Sequence, residues 1–133
     1  MILDSSVLVP LLLAHEGHER ILVALVAAPS LGVGAPTLTE TSMVLAARLS
    51  LDPTERVRRF VEELGVEVVA FTDMHWREAA AAAWRYGKGR HPAGLNFGDC
   101  LAYATARMAG EPLCCVGDDF TRTDLEVVLV LGR

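Results

Sequence analysis

Short apolar runs alternate along the chain with longer segments that carry helical periodicity. The runs are MIL at 1–3, LGVGA at 31–35, VEVVAF at 66–71, PLCCV at 112–116 and EVVLVL at 126–131. Apolar runs of this length, bounded by turn residues, are typical of buried strands. Strands that alternate with helices form parallel sheets covered by helices on both faces. The pattern therefore predicts one α/β domain over residues 1–133, with a mostly parallel central sheet between helical layers.

Local signals predict several helix boundaries. Asp52, followed by proline, threonine and glutamate, predicts a helix start, and Gly65 predicts the end of that helix. Gly87 and Gly110 are expected to end two further helices in the same way, the first of which covers 73–86. Ser5 or Ser6 is expected to cap the first helix. The capping-box pattern occurs twice, at 37–40 and at 96–99, and predicts a helix start at each place.

Composition limits the location and the partners of the chain. It has 133 residues, of which 52% are hydrophobic, and a net charge of −5, which argues against general adhesion to nucleic acid or anionic membrane. The longest early apolar run, VLVPLLLA, is far shorter than the roughly 20 residues that a membrane helix needs. The odd number of cysteines, Cys100, Cys114 and Cys115, argues against a disulfide framework. We expect a cytoplasmic protein without a membrane segment.

Acidic residues follow or face the carboxyl ends of several predicted strands. Asp4 ends the first strand, Glu40 lies in the helix after the second, and Asp99 opens the helix that leads to the fourth. Asp118 and Asp119 follow the fourth strand as rival candidates for one further position. Open α/β sheets bind ligands at this edge. Helix capping is the simpler interpretation of Asp99 or Glu40 alone, but their shared location favours a functional site.

A cluster of carboxylates predicts a hard divalent cation. Neighbouring carboxylates raise one another's pKa, and a cation removes that conflict. Mg²⁺ prefers carboxylate oxygens and keeps water ligands, so it can hold a phosphate and activate a water. Four such carboxylates would account for most of the net charge of −5. The expected chemistry is therefore metal-dependent hydrolysis of a phosphodiester.

Four motifs together resemble a known family. MILDSS, TLTE, RHPAGLNFGDCLAYA and GDDFTRTDL occur in that order, and the chain resembles the PIN-domain ribonucleases, specifically the VapC-type toxins of type II toxin–antitoxin modules. The resemblance implies a PIN-like three-layer fold, Mg²⁺ or Mn²⁺ bound by the acids, cleavage of single-stranded or looped RNA, inhibition by a VapB-type antitoxin, and a homodimer. Asp4, Glu40 and Asp99 match the three central acids of the family. Asp118 is favoured as the fourth because it is nearer the strand end, with Asp119 as its close rival.

Other polar residues are expected to support these acids or to contact RNA. Ser6 and Asn96 would hold the acids in place, and Arg90 and His91 would contact RNA phosphates. Core or interface packing is the expected role of the aromatic side chains Trp76, Trp84 and Tyr86. His15 and His18 lack a third ligand, so a metal role is not favoured for them.

The antitoxin is expected to bind on the helical surface. The early segment SSVLVPLLLA is apolar on more than one face, and we expect it to form a groove with the helix from about 38 to 50. An antitoxin helix would lie in that groove, and the resemblance adds a basic antitoxin side chain that reaches the acids.

Three alternative functions can be compared with the sequence. A phosphoacceptor receiver domain has paired acids after the first strand and a lysine after the fifth, whereas the only lysine here is Lys88. A haloacid-dehalogenase-type phosphatase requires Asp-x-Asp, which the Asp4-Ser5-Ser6 triplet does not provide. A catalytically silent PIN-fold module that acts through a protein partner remains open.

Overall fold

The computed structural model describes residues 1–130 and contains one five-stranded sheet in the order β3-β2-β1-β4-β5. All four strand pairs are parallel, as the alternation of strands and helices predicts. The strands are β1 (Ile2–Leu3), β2 (Gly32–Gly34), β3 (Glu67–Val69), β4 (Leu113–Cys115) and β5 (Val127–Leu129). Each is shorter than its apolar run, and Leu131 of the run predicted for β5 lies outside the described residues.

Six helices and one 3₁₀ turn accompany the sheet. They are α1 (Ser5–Leu12), α2 (His18–Ala27), α3 (Ala35–Leu49), α4 (Thr54–Glu63), α5 (Asp73–Tyr86), α6 (Phe97–Ala109) and a 3₁₀ turn at Phe120–Arg122. The bounds predicted for α5 are confirmed. The sequence did not predict α2 as a separate helix. Because α1 already ends at Leu12, His15 lies in the connecting turn and not on a helix face with His18.

Side chains that alternate along the strands build a separate core on each face of the sheet. Ile2, Leu113 and Cys115 pack with α5 and α6, whereas Leu3 and Cys114 face the core that α1, α2 and α4 cover. Successive strand residues point to opposite faces, so both sides of β1 and β4 are buried. This is the three-layer architecture that the sequence predicts. The three cysteines are free and buried, as expected.

Helix ends agree with the sequence at some positions and differ at others. Gly65 and Gly110 adopt the left-handed conformation that ends α4 and α6. Gly87 is extended at φ −66° instead, and a Cβ there would lie 3.2 Å from the carbonyl carbon of Ala83. Gly87 is therefore required for close backbone approach and not for a positive φ.

Two predicted caps are wrong. The capping box at 37–40 does not form, because α3 already begins at Ala35 and its N-cap is Gly34. Asp4, and neither Ser5 nor Ser6, is the N-cap of α1. Both differences affect the predicted acidic site, because they determine the positions of Asp4 at the start of α1 and of Glu40 within α3.

Within residues 1–130, no helix is both long enough and apolar enough to span a bilayer.

Candidate active site

Asp4 is buried at the carboxyl end of the central strand β1. Its carboxylate accepts a hydrogen bond from the Ser6 backbone N–H at 3.1 Å, which caps α1, and its own N–H donates to the Cys114 carbonyl of β4 at 3.0 Å. The Ser6 hydroxyl accepts from the Val116 N–H at 2.9 Å and so ties the start of α1 to the end of β4. Burial raises the pKa of Asp4, the bonds from Ser6 oppose that rise, and the charge of Glu40 adds to it. A charged Asp4 is thus costly in the protein alone.

Glu40 lies in the second turn of α3 and extends toward the start of α6. A Cβ on Gly98 would lie 2.7 Å from Cδ of Glu40 and closer still to Oε2. The absence of a side chain at position 98 therefore makes room for the Glu40 carboxylate against the first turn of α6. The sequence analysis did not single out Gly98. Its signal was a glycine at the second position of an otherwise favourable helix, where glycine costs about 1 kcal/mol relative to alanine.

Asp99 and Asn96 form the predicted capping box at the start of α6. The Asn96 N–H donates to Asp99 Oδ2 at 3.0 Å, and the Asp99 N–H donates to Asn96 Oδ1 at 2.9 Å. Burial raises the pKa of Asp99 to about 6, against the hydrogen bond from Asn96, and the charges of Asp4 and Asp119 raise it further. The capping hydrogen bond thus holds one oxygen of the Asp99 carboxylate in place, while the charges of the neighbouring acids raise its pKa.

Asp119, and not Asp118, shares the electrostatic environment of the other acids. Burial raises the pKa of the Cys115 thiol to about 12, and the charges of Asp4, Asp119 and Asp99 contribute to the rise. Asp118 instead lies beside Arg122, with 3.4 Å between Oδ2 and Nη2. The sequence favours Asp118 because it is nearer the end of β4. Both acids are exposed, but the Asp118 carboxylate already lies beside Arg122, a residue the sequence analysis did not single out, so the structure favours Asp119 for the fourth position.

Comparison with known proteins identifies the family. The model of the PIN domain matches residues 1–126. The chain belongs to the PIN-domain family. Among curated relatives, Ribonuclease VapC36 of Mycobacterium tuberculosis is 43% identical over 133 residues, which cover 99% of this chain and 96% of the relative. Ribonuclease VapC30 of the same species is 36% identical over 129 residues, covering 96% of this chain and 98% of that one.

Solved structures share the PIN fold of this chain. The M. tuberculosis toxin VapC20, described as cleaving the sarcin–ricin loop, superposes with a TM-score of 0.78 at 18% identity, covering 96% of this chain and 97% of that one. A toxin–antitoxin complex from Klebsiella pneumoniae gives a TM-score of 0.70 at 20% identity, covering 96% and 95%. At these identities the likeness establishes the fold alone.

The donor set of this PIN domain fits a hard cation in chemistry and in charge. Asp4, Glu40, Asp99 and Asp119 supply only carboxylate oxygens, and none of them pairs with a lysine or arginine in the part of the chain that the structure describes. Within the same residues, no three His, Cys, Asp or Glu side chains are already close enough together to hold one ion. The carboxylates therefore form a loose, uncompensated cluster rather than a closed cage. Such a cluster suits Mg²⁺, which keeps several of its waters.

Arg90 and His91 occupy different environments although they are adjacent. The Arg90 guanidinium stacks over the exposed ring of Trp84, with its Cζ 3.8 Å from the ring centroid. His91 packs edge-on against Tyr86, and its Nδ1 accepts from the Ala93 N–H at 3.0 Å. The packing prediction holds for Tyr86, which lies against the core, whereas Trp84 is 69% exposed. Arg90 is therefore placed to meet a ligand, while His91 shapes the loop.

Proposed function

We propose that this chain is a metal-dependent endoribonuclease and the toxin of a toxin–antitoxin pair. The observation that carries the proposal is the group of four carboxylates, Asp4, Glu40, Asp99 and Asp119, none of which has a cationic partner in residues 1–130. The charge of Glu40 adds to the raised pKa of Asp4, and the charges of Asp4 and Asp119 add to that of Asp99. The sequence identity of 43% to a protein named Ribonuclease VapC36 supports RNA as the substrate. We expect the protein to act in the cytoplasm, where RNA is made and translated.

Each residue has a distinct part in the proposed hydrolysis. Asp4, Glu40 and Asp99 would hold Mg²⁺ or Mn²⁺, which when bound supplies Lewis-acid stabilisation of the scissile phosphate and a more acidic water. Asp119, whose charge acts on Asp99, would orient the attacking water. Ser6 and Asn96 would keep Asp4 and Asp99 in place through the bonds described above.

The alternative is a PIN-fold module that binds a partner without cleaving RNA. The uncompensated carboxylates argue against it, because a purely structural role as helix caps does not require Asp4 and Asp99 to carry charge next to other acids, which costs folding free energy. Cleavage that is lost on Asp99→Asn and retained in a surface variant would separate the two functions.

An antitoxin is the proposed protein partner. Structural neighbours include a toxin–antitoxin complex from K. pneumoniae and FitAB bound to a DNA fragment. The sequence predicts a groove between α1 and α3, but these helices pack directly on each other. A groove of about 400 Å³ lies instead between α1 and α4, lined by Leu11, Leu12 and Phe60 with Arg56 and Arg59 at its side. We propose this groove for an amphipathic antitoxin helix, with a basic antitoxin side chain pairing with the acids.

A second copy of the chain is the proposed partner for a different apolar face. Met43, Phe71 and Phe97 line a groove of about 990 Å³ between α3 and α6, and Phe97 is 81% exposed. Exposed large apolar side chains grouped in this way are unusual on a monomer. We propose that this face, named here the Phe97 face, forms the homodimer.

The experiment that tests the proposed function is sequencing of RNA ends after induction of the protein in cells. We expect new ends at a small set of sites, absent when Asp99→Asn is induced at the same level. Equal sets of ends in both cultures would contradict the proposal. Co-expression of the antitoxin should remove the new ends.

A further inference from the structure

The end of α5 and the loop that follows it together present the aromatic ring of Trp84 and two cations, Lys88 and Arg90. Arg90 lies over Trp84 at 3.8 Å, and Trp84 is 69% exposed. Neither Lys88 nor Arg90 pairs with a carboxylate in residues 1–130. Among the other described arginines, Arg58, Arg77, Arg85, Arg107 and Arg122 each have an acidic partner, whereas Arg20, Arg48, Arg56 and Arg59 have none. Arg90 differs from those four because it stacks on an exposed aromatic ring. A chain with a net charge of −5 thus keeps two positive charges unpaired at one place.

The loop that carries these charges is held firmly. The Leu95 N–H donates to the Tyr86 carbonyl at 2.9 Å, and the Arg122 guanidinium donates to the Pro92 carbonyl at 3.2 Å. The edge contact of His91 with Tyr86, at 5.1 Å between ring centroids, adds a third attachment. The stacked pair is therefore set on a rigid support, which lowers the entropy that a ligand must overcome to bind there.

The loop and the acidic site share a continuous surface. Lys88 and Arg90 line a groove of about 490 Å³ together with Asn96 and Phe97. Phe97 also lines the adjoining groove that includes Glu40. A polymer whose backbone reaches Asp99 can therefore pass Asn96, its capping partner, and extend along the first groove toward the loop.

We propose that Trp84 and Arg90 form a stacking platform for an unpaired base of the RNA, with Lys88 beside it for phosphate. This inference rests on the proposed ribonuclease function and deepens it. Aromatic rings and arginine planes stack on bases of single strands, and adjacent cations follow the phosphates. A second protein chain is the less suitable occupant, because Trp84 does not line the groove of the Phe97 face.

Tryptophan fluorescence tests the platform directly, because the chain contains only Trp76 and Trp84. In the Asp99→Asn background, which prevents cleavage, Trp76→Phe leaves Trp84 as the sole tryptophan and Trp84→Phe leaves Trp76. Titration with a single-stranded RNA of about 12 nucleotides should quench the emission of Trp84 at least as strongly as that of Trp76, which lines the groove between the acids and the loop. Quenching confined to Trp76 would overturn the proposal.

Binding of the same fluorescein-labelled RNA provides the second measurement. In the Asp99→Asn background, Trp84→Ala should weaken binding by roughly 5- to 150-fold, the range of one lost base stack, without changing the dependence on salt. Arg90→Ala should both weaken binding and reduce the slope of log affinity against log salt by about 0.7. Arg20→Ala removes the same charge from α2, which packs on the opposite face of the sheet from α5, and we expect no comparable effect on RNA binding there.

The outcomes separate the platform from the ribonuclease itself. If wild type cleaves RNA and Trp84→Ala cleaves and binds it equally well, the platform is wrong and the ribonuclease stands. If Trp84→Ala instead shifts the protein to monomers with unchanged RNA affinity, the ring belongs to a protein interface and the platform is again wrong. If wild type cleaves no RNA, the proposed function fails and the platform fails with it as a substrate site.

Discussion

The Glu40 carboxylate occupies space that exists only because residue 98 has no side chain. A Cβ at Gly98 would lie 2.7 Å from Glu40 Cδ, which is far inside van der Waals contact. Because Gly98 is in the first turn of α6 and Glu40 is in α3, this contact sets the distance between two of the proposed ligands. The position of Glu40 is thus a product of helix packing rather than of its own local sequence.

Gly98→Ala should therefore damage activity more than stability. Alanine favours the helix by about 1 kcal/mol, but its methyl group would displace Glu40. We expect the rate of RNA cleavage to fall about 10- to 100-fold, as for other misplaced catalytic groups, while the urea midpoint changes little. The measurement is single-turnover cleavage beside urea unfolding.

A double variant provides the control for that experiment. Glu40→Asp shortens the side chain by one methylene, so adding it to Gly98→Ala should restore part of the lost rate. Additive losses in the double variant would show that the two residues do not act through this contact.

Asp119→Asn should reduce cleavage more than Asp118→Asn. Asp119 acts electrostatically on Asp99, whereas Asp118 faces Arg122. We expect a loss of about 100-fold for the first and less than about 5-fold for the second, at matched metal concentration. The reverse order in single-turnover assays would restore Asp118, the residue that the sequence favours.

The stability of the metal-free protein should depend on the titration of Asp99. Its pKa is raised from 3.8 to about 6 in the fold, chiefly by burial, so the native state holds this proton more tightly than the unfolded chain. The contribution of protonated Asp99 to stability is fully present below 3.8 and is lost as pH rises through about 6. Urea unfolding in chelator should show this loss, and Asp99→Asn should flatten the profile across that window. If Asp99→Asn showed the same pH dependence of stability as wild type, another titrating group would have to be its cause.

A charge placed on the Phe97 face should dissociate the proposed dimer. Met43 is 68% exposed on α3, and Met43→Asp would place a carboxylate in the apolar contact. Light scattering should report about twice the chain mass of 14.3 kDa for wild type and a single chain for this variant. Val23→Asp on α2, where the side chain is 69% exposed, is the matched control and should leave the mass unchanged. Equal masses for all three proteins would exclude this face.

The sequence predicted the parallel sheet and the cap of α6 well because both depend on local signals, while the roles of the acids stay predictions. Alternating strands and helices bring the strand ends to one edge, and the capping box of Asn96 and Asp99 is written in adjacent residues. The predicted strands were too long, because the apolar runs continue beyond the residues that pair in the sheet. The separate helix α2 was missed although Gly17, its N-cap at φ 86°, marks the turn, because the apolar pattern continues on both sides of that turn.

Side-chain directions could not be predicted from local patterns. The order of Asp118 and Asp119 depends on Arg122, four residues later, and on the 3₁₀ turn that brings it back. The exposure of Trp84 depends on the path that the loop after α5 takes to the start of α6. The length of the loop alone does not determine that path. These contacts are tertiary, and only the folded chain displays them.

The most direct test of the acidic site is cleavage of RNA by the purified protein with and without metal. Wild type in Mg²⁺ or Mn²⁺ should cleave, and both chelator and Asp99→Asn should abolish cleavage, while circular dichroism shows the variant folded because asparagine retains part of the cap. Arg20→Ala, an exposed position on α2 outside every proposed site, should cleave like wild type. Full activity in chelator, or undiminished cleavage by folded Asp99→Asn, would contradict the account.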